Sequence, residues 1–290
     1  MSDIYLLVGG EATRLQPLSL GIPKALLTIR GETILDIIIG QFSKFGDFKF
    51  NLICSEKHKD NWLSYQLSTN NNVNLLFEEG KLDTAGYIIQ NIDRLPDKFF
   101  CMNGDLLLDV DMDNFIKSAQ NSTNTLIGSY EVKNPSRYGV LKVNKSMKVE
   151  AFIEKPKDNS FGNKINLGLY HIFKKDIESI LSLLKVPCSF ERDVFPCLSE
   201  NELLSTYTVS GNMVDVGTRE AYINAHLKDG VTKWISSNNT RVDKSAVIRN
   251  SVILEDCVVE ENVVIENSVI SNSSTIKSGT TIKNEIVRTI

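Results

Sequence analysis

The last fifty residues carry the pattern that most narrows what this chain can fold into. Small or branched residues recur at Thr240, Ala246, Ser251, Cys257, Val263, Ser268, Ser274 and Thr280, and two positions after each stands Val242, Ile248, Ile253, Val259, Ile265, Ile270, Ile276 or Ile282. The steps are 6, 5, 6, 6, 5, 6 and 6 residues. A step near six with two inward residues is the hexapeptide pattern of a parallel β-helix, in which three rungs complete a turn and each turn buries its apolar side against the next. Eight rungs predict nearly three turns. A small antiparallel appendage turned at Asn-Ser pairs is the competing reading, and the regularity over some forty residues favours the coil.

From Ile4 to about Asp229 the pattern is different, with short apolar runs alternating with longer helix-period stretches. That is the signature of strands joined by crossover helices. Ile4–Val8 reads as the first strand, ended by Gly9 and Gly10. Thr33 is placed to cap a helix that runs to Phe45, with apolar residues at 34, 35, 37, 38, 39 and 42. Lys49–Cys54 and Phe99–Met102 read as further strands, the latter running into Asn103-Gly104-Asp105. Leu126–Val132, Gly139–Val143, Val149–Ile153 and Leu167–Phe173 are strand-like, and Lys175–Leu184 reads as helix. The expectation is an α/β fold: a Rossmann-like, mostly parallel sheet over 1–229 followed by a β-helix domain over 238–290. In such sheets ligands gather at the carboxyl ends of the strands.

Composition removes several functions. The 32 lysines and arginines against 36 acidic residues give a formal charge of −4, and no basic run is dense enough for polymeric nucleic acid or a membrane surface. The apolar start, Ile4 to Val8, is shorter than a signal-peptide core or a membrane span, so a cytoplasmic protein is expected. Cys54, Cys101, Cys188, Cys197 and Cys257 are odd in number and contain no CxxC pair, so they read as reduced core residues. The three histidines, His58, His171 and His226, are far apart and read as structural. Asp109, Asp111 and Asp113 resemble half a calcium loop but lack its glycine and closing glutamate, and are read as a turn and helix start.

The segment Leu7-Val8-Gly9-Gly10-Glu11-Ala12-Thr13-Arg14-Leu15-Gln16-Pro17-Leu18-Ser19, with Pro23-Lys24 beyond it, is a glycine-bearing loop ending in two cations. Freed backbone N–H groups with Arg14 and Lys24 suit a polyphosphate. Lys24 alone reads equally as a solvated loop lysine, and the loop matches neither the dinucleotide nor the P-loop glycine fingerprint. Asp105, closing a buried Phe-Phe-Cys-Met run, reads as a functional carboxylate or as a cap, and Asp215 is another acid at a strand-to-loop switch.

These motifs together resemble the sugar-1-phosphate nucleotidyltransferase family, on its mannose-1-phosphate guanylyltransferase-like branch. GGxxTRLxPLS…PKALL is similar to the family's GGxGTRLxPLT…PKPL, Leu82-Asp83-Thr84-Ala85-Gly86 to LGTAG, Asn103-Gly104-Asp105 to NGD, Phe152-Ile153-Glu154-Lys155-Pro156 to F(V/I)EKP, Asn166-Leu167-Gly168-Leu169-Tyr170 to NxGxY, and Asp215-Val216-Gly217-Thr218 to DxGT. A left-handed β-helix tail is a common appendage of the family. The resemblance implies that a nucleoside triphosphate and a sugar 1-phosphate become a nucleotide-sugar and pyrophosphate. It implies Arg14 and Lys24 on the leaving pyrophosphate, Lys155 on the sugar phosphate, and Mg²⁺ held by Asp105 and Asp215. Glu154, Asn166 and the backbone at Gly139 and Val140 would meet sugar hydroxyls, while Leu7, Gly9, Gly10, Asp83 and Gly104 would border the nucleotide.

Two departures bear on nucleotide binding. Ala12 stands where the family has its second loop glycine, at a cost of about 1 kcal/mol if that position needs φ > 0, and Asp83 replaces the glycine of LGTAG near the base. Ala25 follows Pro23-Lys24 where the family has proline. The leading expectation is guanosine triphosphate with mannose 1-phosphate, the acidic run Glu78-Glu79-Gly80-Lys81-Leu82-Asp83 offering acceptors to guanine's donors. Alternatives are thymidylyl or uridylyl transfer to glucose 1-phosphate, and a silent homologue that only binds nucleotide-sugar. The tail has no histidine after His226 to serve an acyl transfer, so it reads as a device for homo-oligomer assembly or regulation.

Overall fold

The structure, a computed structural model, describes residues 2–157, 160–227 and 230–289. Two compact units divide it. The first comprises Met1–Gly9, Ile39–Gly104 and Leu108–Met213, and the second Gly10–Ile38, Asp105–Leu107 and Val214–Ile290. Asp229, expected to close the α/β segment, lies outside the described residues.

The first unit holds a nine-stranded sheet of β1 (Ser2–Leu7), β2 (Phe48–Ser55), β3 (Val73–Glu78), β4 (Lys98–Asn103), β5 (Thr125–Glu131), β6 (Gly139–Val143), β7 (Val149–Glu154), β8 (Lys164–Phe173) and β9 (Leu204–Thr208). The order is β7-β6-β8-β4-β1-β2-β3, with β5 pairing β8 and β9. β4, β1, β2 and β3 are parallel. β8 runs antiparallel to β4, β5 and β6, and β7 to β6. The sequence pattern names all of these strands except β3 and β9, but not their sense, which between β6 and β7 follows from the connection. Five residues join β6 to β7, too few for a crossover, and such a link permits only a hairpin.

The helices form where apolar residues recur at helical spacing behind a cap. In α1 (Ile34–Ser43) the buried residues are Ile34, Leu35, Ile38, Ile39 and Phe42. Thr33 caps it as expected, its Oγ1 accepting from the Asp36 N–H at 3.0 Å and donating to Asp36 Oδ2 at 2.6 Å. α2 (Lys59–Ser68) and α3 (Asp83–Gln90) follow β2 and β3. α4 (Met112–Asn121) buries Met112, Phe115, Ile116 and Ala119 and is capped by Asp111, which accepts from the Asn114 N–H at 3.3 Å. The aspartate trio is thus a turn and helix start. α5 (Lys174–Ile180) buries Ile177 and Ile180, and α6 (Phe195–Glu200) packs Phe195 against the sheet, 4.9 Å from Tyr170 and 5.3 Å from Phe190 between ring centroids.

The second unit carries α7 (Arg219–His226) and the left-handed parallel β-helix. Strands stack in three sheets at a 17-residue offset, Ile248 on Ile265, Val252 on Val269 and Val258 on Thr275, which is the sum of steps 6, 5 and 6. Ile248, Ile253, Cys257, Val259, Val263, Ile265, Ile270, Ile276 and Ile282 form its core. Each inward small position except Ala246 follows a residue with positive φ: Asn239, Asn250, Asp256, Asn262, Asn267, Ser273 and Gly279. The corner thus needs a residue that tolerates the left-handed region, which is why Asn, Asp and Gly supply most of them. The repeat reading missed the first and last rungs, Lys233–Ile235 and Ile286–Val287.

All five cysteines are free, and four of them are buried. Among the described residues no helix is long and apolar enough to cross a membrane.

Candidate active site

In the second unit three charged residues far apart in sequence converge. Lys24 opens a short 3₁₀ turn, Lys24–Leu26, immediately after Pro23, and is 8% exposed. Its Nζ donates to Asp105 Oδ2 at 2.6 Å and lies 3.4 Å from Asp215 Oδ1. Two backbone bonds bring the acids to it: Val216 N–H donates to the Asp105 carbonyl at 3.1 Å, and Gly217 N–H to that of Asp215 at 2.8 Å. A Cβ on Gly217 would stand 2.9 Å from Arg14 Nη2 and 3.0 Å from Asp215 Oδ1, so only glycine lets guanidinium and carboxylate approach this turn. A buried ammonium is tolerated because carboxylates face it, and the two carboxylates are tolerable neighbours because a cation lies between them.

The pair of acids also suits a hard divalent cation. Their oxygens already converge on one positive group, and among the described residues no cluster of three or more His, Cys, Asp or Glu side chains is placed to hold a metal. Mg²⁺ commonly takes one or two carboxylates and fills its remaining positions with water and phosphate oxygens.

Ala12 has φ −81° and ψ 55°, so the methyl carries no left-handed strain and the conditional penalty does not arise. Ser19 Oγ donates to the Ala12 carbonyl at 2.6 Å and holds the loop. A Cβ on Gly10 would meet nothing within 4 Å, so its backbone is open to approach.

In the first unit the remaining candidates fall at strand ends. Leu7 closes β1, and its carbonyl accepts from Gly104 N–H at 3.0 Å. A Cβ on Gly104 would stand 2.5 Å from Val8 Cγ1, which gives that glycine a packing role. A Cβ on Gly9 would meet Glu78 Oε1 at 2.5 Å, so the Glu78 carboxylate rests directly on this backbone. Burial, then the charge of Asp83, raises the Glu78 carboxyl above its ordinary range. Asp83 has φ 65°, which explains glycine at the family position, and aspartate is among the few residues that tolerate it. Its carboxylate is engaged, accepting from Thr84 N–H at 2.8 Å and pairing with Arg192.

Gly139 opens β6 opposite Glu154, and a Cβ there would stand 2.4 Å from the Phe152 ring and 3.0 Å from Glu154 Oε2. Lys155 Nζ pairs with Glu154 Oε1 at 2.7 Å, and Lys155 has φ 48°, held by its N–H to the Tyr138 carbonyl at 3.0 Å. Such backbone strain persists where the surroundings over-determine it, often at functional sites. Asn166 sits at a bulge, since β8 advances from Asn166 to Tyr170 while β5 advances only from Ser129 to Ile127. Asn166 Oδ1 accepts from Gly168 N–H and its Nδ2 donates to Tyr170 Oη, both at 2.9 Å. Sequence reasoning missed Glu191. This carboxylate accepts from Thr84 Oγ1 at 2.7 Å and Ser189 Oγ at 2.8 Å. It lies on a π-helical turn, Phe190–Val194, with no periodic signal; the one clue is Glu191-Arg192-Asp193 set between buried Phe190 and Val194.

His171 and His226 are structural as expected, both buried and held down to about 4 by that burial.

Fold and charge arrangement define an α/β protein with an appended hexapeptide-repeat β-helix. The chain belongs to the nucleotidyl transferase family, whose model matches residues 5–231, and a GlmU-like C-terminal hexapeptide model matches 225–287. A mannose-1-phosphate guanylyltransferase catalytic subunit beta from Drosophila pseudoobscura pseudoobscura is 30% identical over 230 residues, 75% of this chain and 60% of that protein. The bifunctional protein GlmU of Methanococcus aeolicus is 30% identical over 184 residues, 63% of this chain and 43% of its own length. The chain thus spans less than two thirds of these relatives. Among solved structures, HddC from Yersinia pseudotuberculosis complexed with GMP-PN is 28% identical, with a TM-score of 0.64, covering 79% of this chain and 99% of that one.

Proposed function

We propose that this protein is a sugar-1-phosphate nucleotidyltransferase working in the cytoplasm, with a catalytic domain over 1–229 and a β-helix over 238–290. An oxygen of the sugar phosphate attacks the α-phosphorus of a nucleoside triphosphate, the bond from that phosphorus to the bridging oxygen breaks, and pyrophosphate leaves. The observation that carries this reading is the Lys24 ammonium held between Asp105 and Asp215, with Arg14 beside the same turn. Chemistry of this kind needs positioning and charge neutralisation rather than a covalent nucleophile. Arg14 and Lys24 receive the departing pyrophosphate charge, Lys155 orients the sugar phosphate, and Glu154 and Asn166 bind sugar hydroxyls. Asp105 and Asp215 would hold Mg²⁺, which supplies neutralisation of phosphate charge.

For the base we propose guanine, with mannose 1-phosphate as acceptor. Asp83 is engaged by Arg192, whereas Glu78 lies against the Gly9 backbone and offers an acceptor to guanine's N–H and amino donors. A panel of four nucleoside triphosphates against several sugar 1-phosphates, read as pyrophosphate release with Mg²⁺, tests both levels. The highest kcat/KM is expected for guanosine triphosphate with mannose 1-phosphate. A thymidine preference would move the assignment to glucose-1-phosphate thymidylyl transfer. Tight nucleotide-sugar binding with no pyrophosphate from any pair would overturn the enzyme in favour of a silent binder.

A further inference from the structure

Glu191 is a carboxylate that the proposed chemistry does not use, yet it joins two segments that the chemistry does. Its Oε2 accepts from Thr84 Oγ1 at 2.7 Å and from Ser189 Oγ at 2.8 Å, and its Oε1 is 3.5 Å from Tyr170 Oη. Thr84 follows Asp83 at the start of α3, and its hydroxyl also accepts from Phe190 N–H at 2.9 Å. On the other side, Tyr170 Oη accepts from Asn166 Nδ2, while Gly168 N–H fills one lone pair of Asn166 Oδ1. These two bonds set which end of the Asn166 amide faces which way. They leave one N–H and one lone pair for a ligand. Tyr170 is fully buried, and burial holds its phenol protonated, so it has a proton to offer the carboxylate.

We infer that Glu191 is a positioning residue that orients Asn166 through Tyr170 and the Asp83–Thr84 turn through the threonine hydroxyl, coupling the sugar-binding and nucleotide-binding segments. Which substrate each segment serves rests on the nucleotidyltransferase reading; the network itself does not. Two other bonds tie the turn, Ala85 N–H to the Cys188 carbonyl and Cys188 N–H to the Leu82 carbonyl, both at 2.9 Å, so losing the carboxylate loosens orientation without unfolding the segment.

The test uses Glu191→Gln, close in shape to the native side chain, together with Tyr170→Phe and Thr84→Val, each assayed with the best substrate pair of the wild-type panel. A buried hydrogen bond of ordinary strength is worth about fivefold in binding. Tyr170→Phe is expected to raise the KM for the sugar phosphate about fivefold, with the nucleotide KM and kcat within about twofold of wild type. Thr84→Val should do the reverse, and Glu191→Gln should raise both KM values. A merely structural residue would instead lower the active fraction and kcat at constant KM. The side-chain amide resonances of Asn166, followed by NMR, report the network without turnover. They should shift and exchange faster with water in Glu191→Gln and Tyr170→Phe. Unchanged KM values in a folded Glu191→Gln protein, or unmoved Asn166 resonances, would overturn the inference. A wild type that turns over no substrate pair would overturn the enzymatic reading instead, and the Asn166 resonances would still decide this one.

Discussion

Mild acid should destabilise this protein through two buried imidazoles. His171 is 6% exposed and His226 is inaccessible, and each is held down to about 4 from the usual 6.5. Burial is the main cause for both, with the charge of Lys98 adding at His171 and that of Arg30 at His226. A ring whose folded-state value is depressed binds fewer protons than it does in the unfolded chain, so the stability it contributes is complete above about pH 6.5 and is lost as pH falls toward 4. Between pH 7 and pH 5 linkage gives a loss of about 2 kcal/mol per ring, or about 4 kcal/mol together, a large share of an ordinary folding free energy. Glu78 and Asp176, raised by burial, act in the opposite sense, so the comparison has to be made between variants. His171→Phe isolates one ring. The His171 ring lies 4.7 Å from Phe100 and 5.2 Å from Phe173 between centroids, and its Nδ1 has no hydrogen-bond partner among the described residues, so phenylalanine fits the aromatic surroundings and removes an orphaned polar atom. Urea denaturation followed by circular dichroism at pH 7 and pH 5 should show the variant losing about 2 kcal/mol less than wild type on acidification. Equal losses for the two proteins would refute the reasoning.

Three further outcomes are expected. Asp105→Asn should lower turnover about 100-fold or more with the circular dichroism spectrum preserved, because it removes one of the two carboxylate charges and leaves Lys24 only the longer ion pair, to Asp215; near-normal turnover would remove Asp105 from the site. Lys24→Ala should weaken triphosphate use while Lys155→Ala mainly raises the KM for the sugar phosphate, and steady-state kinetics in which both act on the nucleotide alone would rule out the role of Lys155. Deleting 238–290 should reduce the oligomer in light scattering without abolishing chemistry, since the last rung, Ile286–Val287, stacks among the described residues on Val269 and Ile270 alone; a full-length protein strictly monomeric at micromolar concentration would contradict this.

The sequence by itself determined the periodic parts. The steps of six and five residues are written in Ala246, Ser251, Cys257 and their fellows because every turn of the coil presents the same inward geometry, so a local pattern is enough. Most strands of the sheet were legible too: β4, buried on both faces, needs an unbroken Phe-Phe-Cys-Met run. The cationic loop and its two acids could be named from their motifs. Only the tertiary structure decided what those groups meet. Lys24 is 81 residues from Asp105 and 191 from Asp215, and their convergence depends on strand register and turn closure, which no local preference encodes. The antiparallel pairing of β8 with β4 and β5, which do not adjoin it in the chain, was decided by tertiary packing, and the ion pair of Asp83 with Arg192 by a contact 109 residues away. Glu191 stayed hidden because a carboxylate on a π-helical turn has no period, and its importance lies in Thr84, Ser189 and Tyr170, which reach it only once the chain has folded.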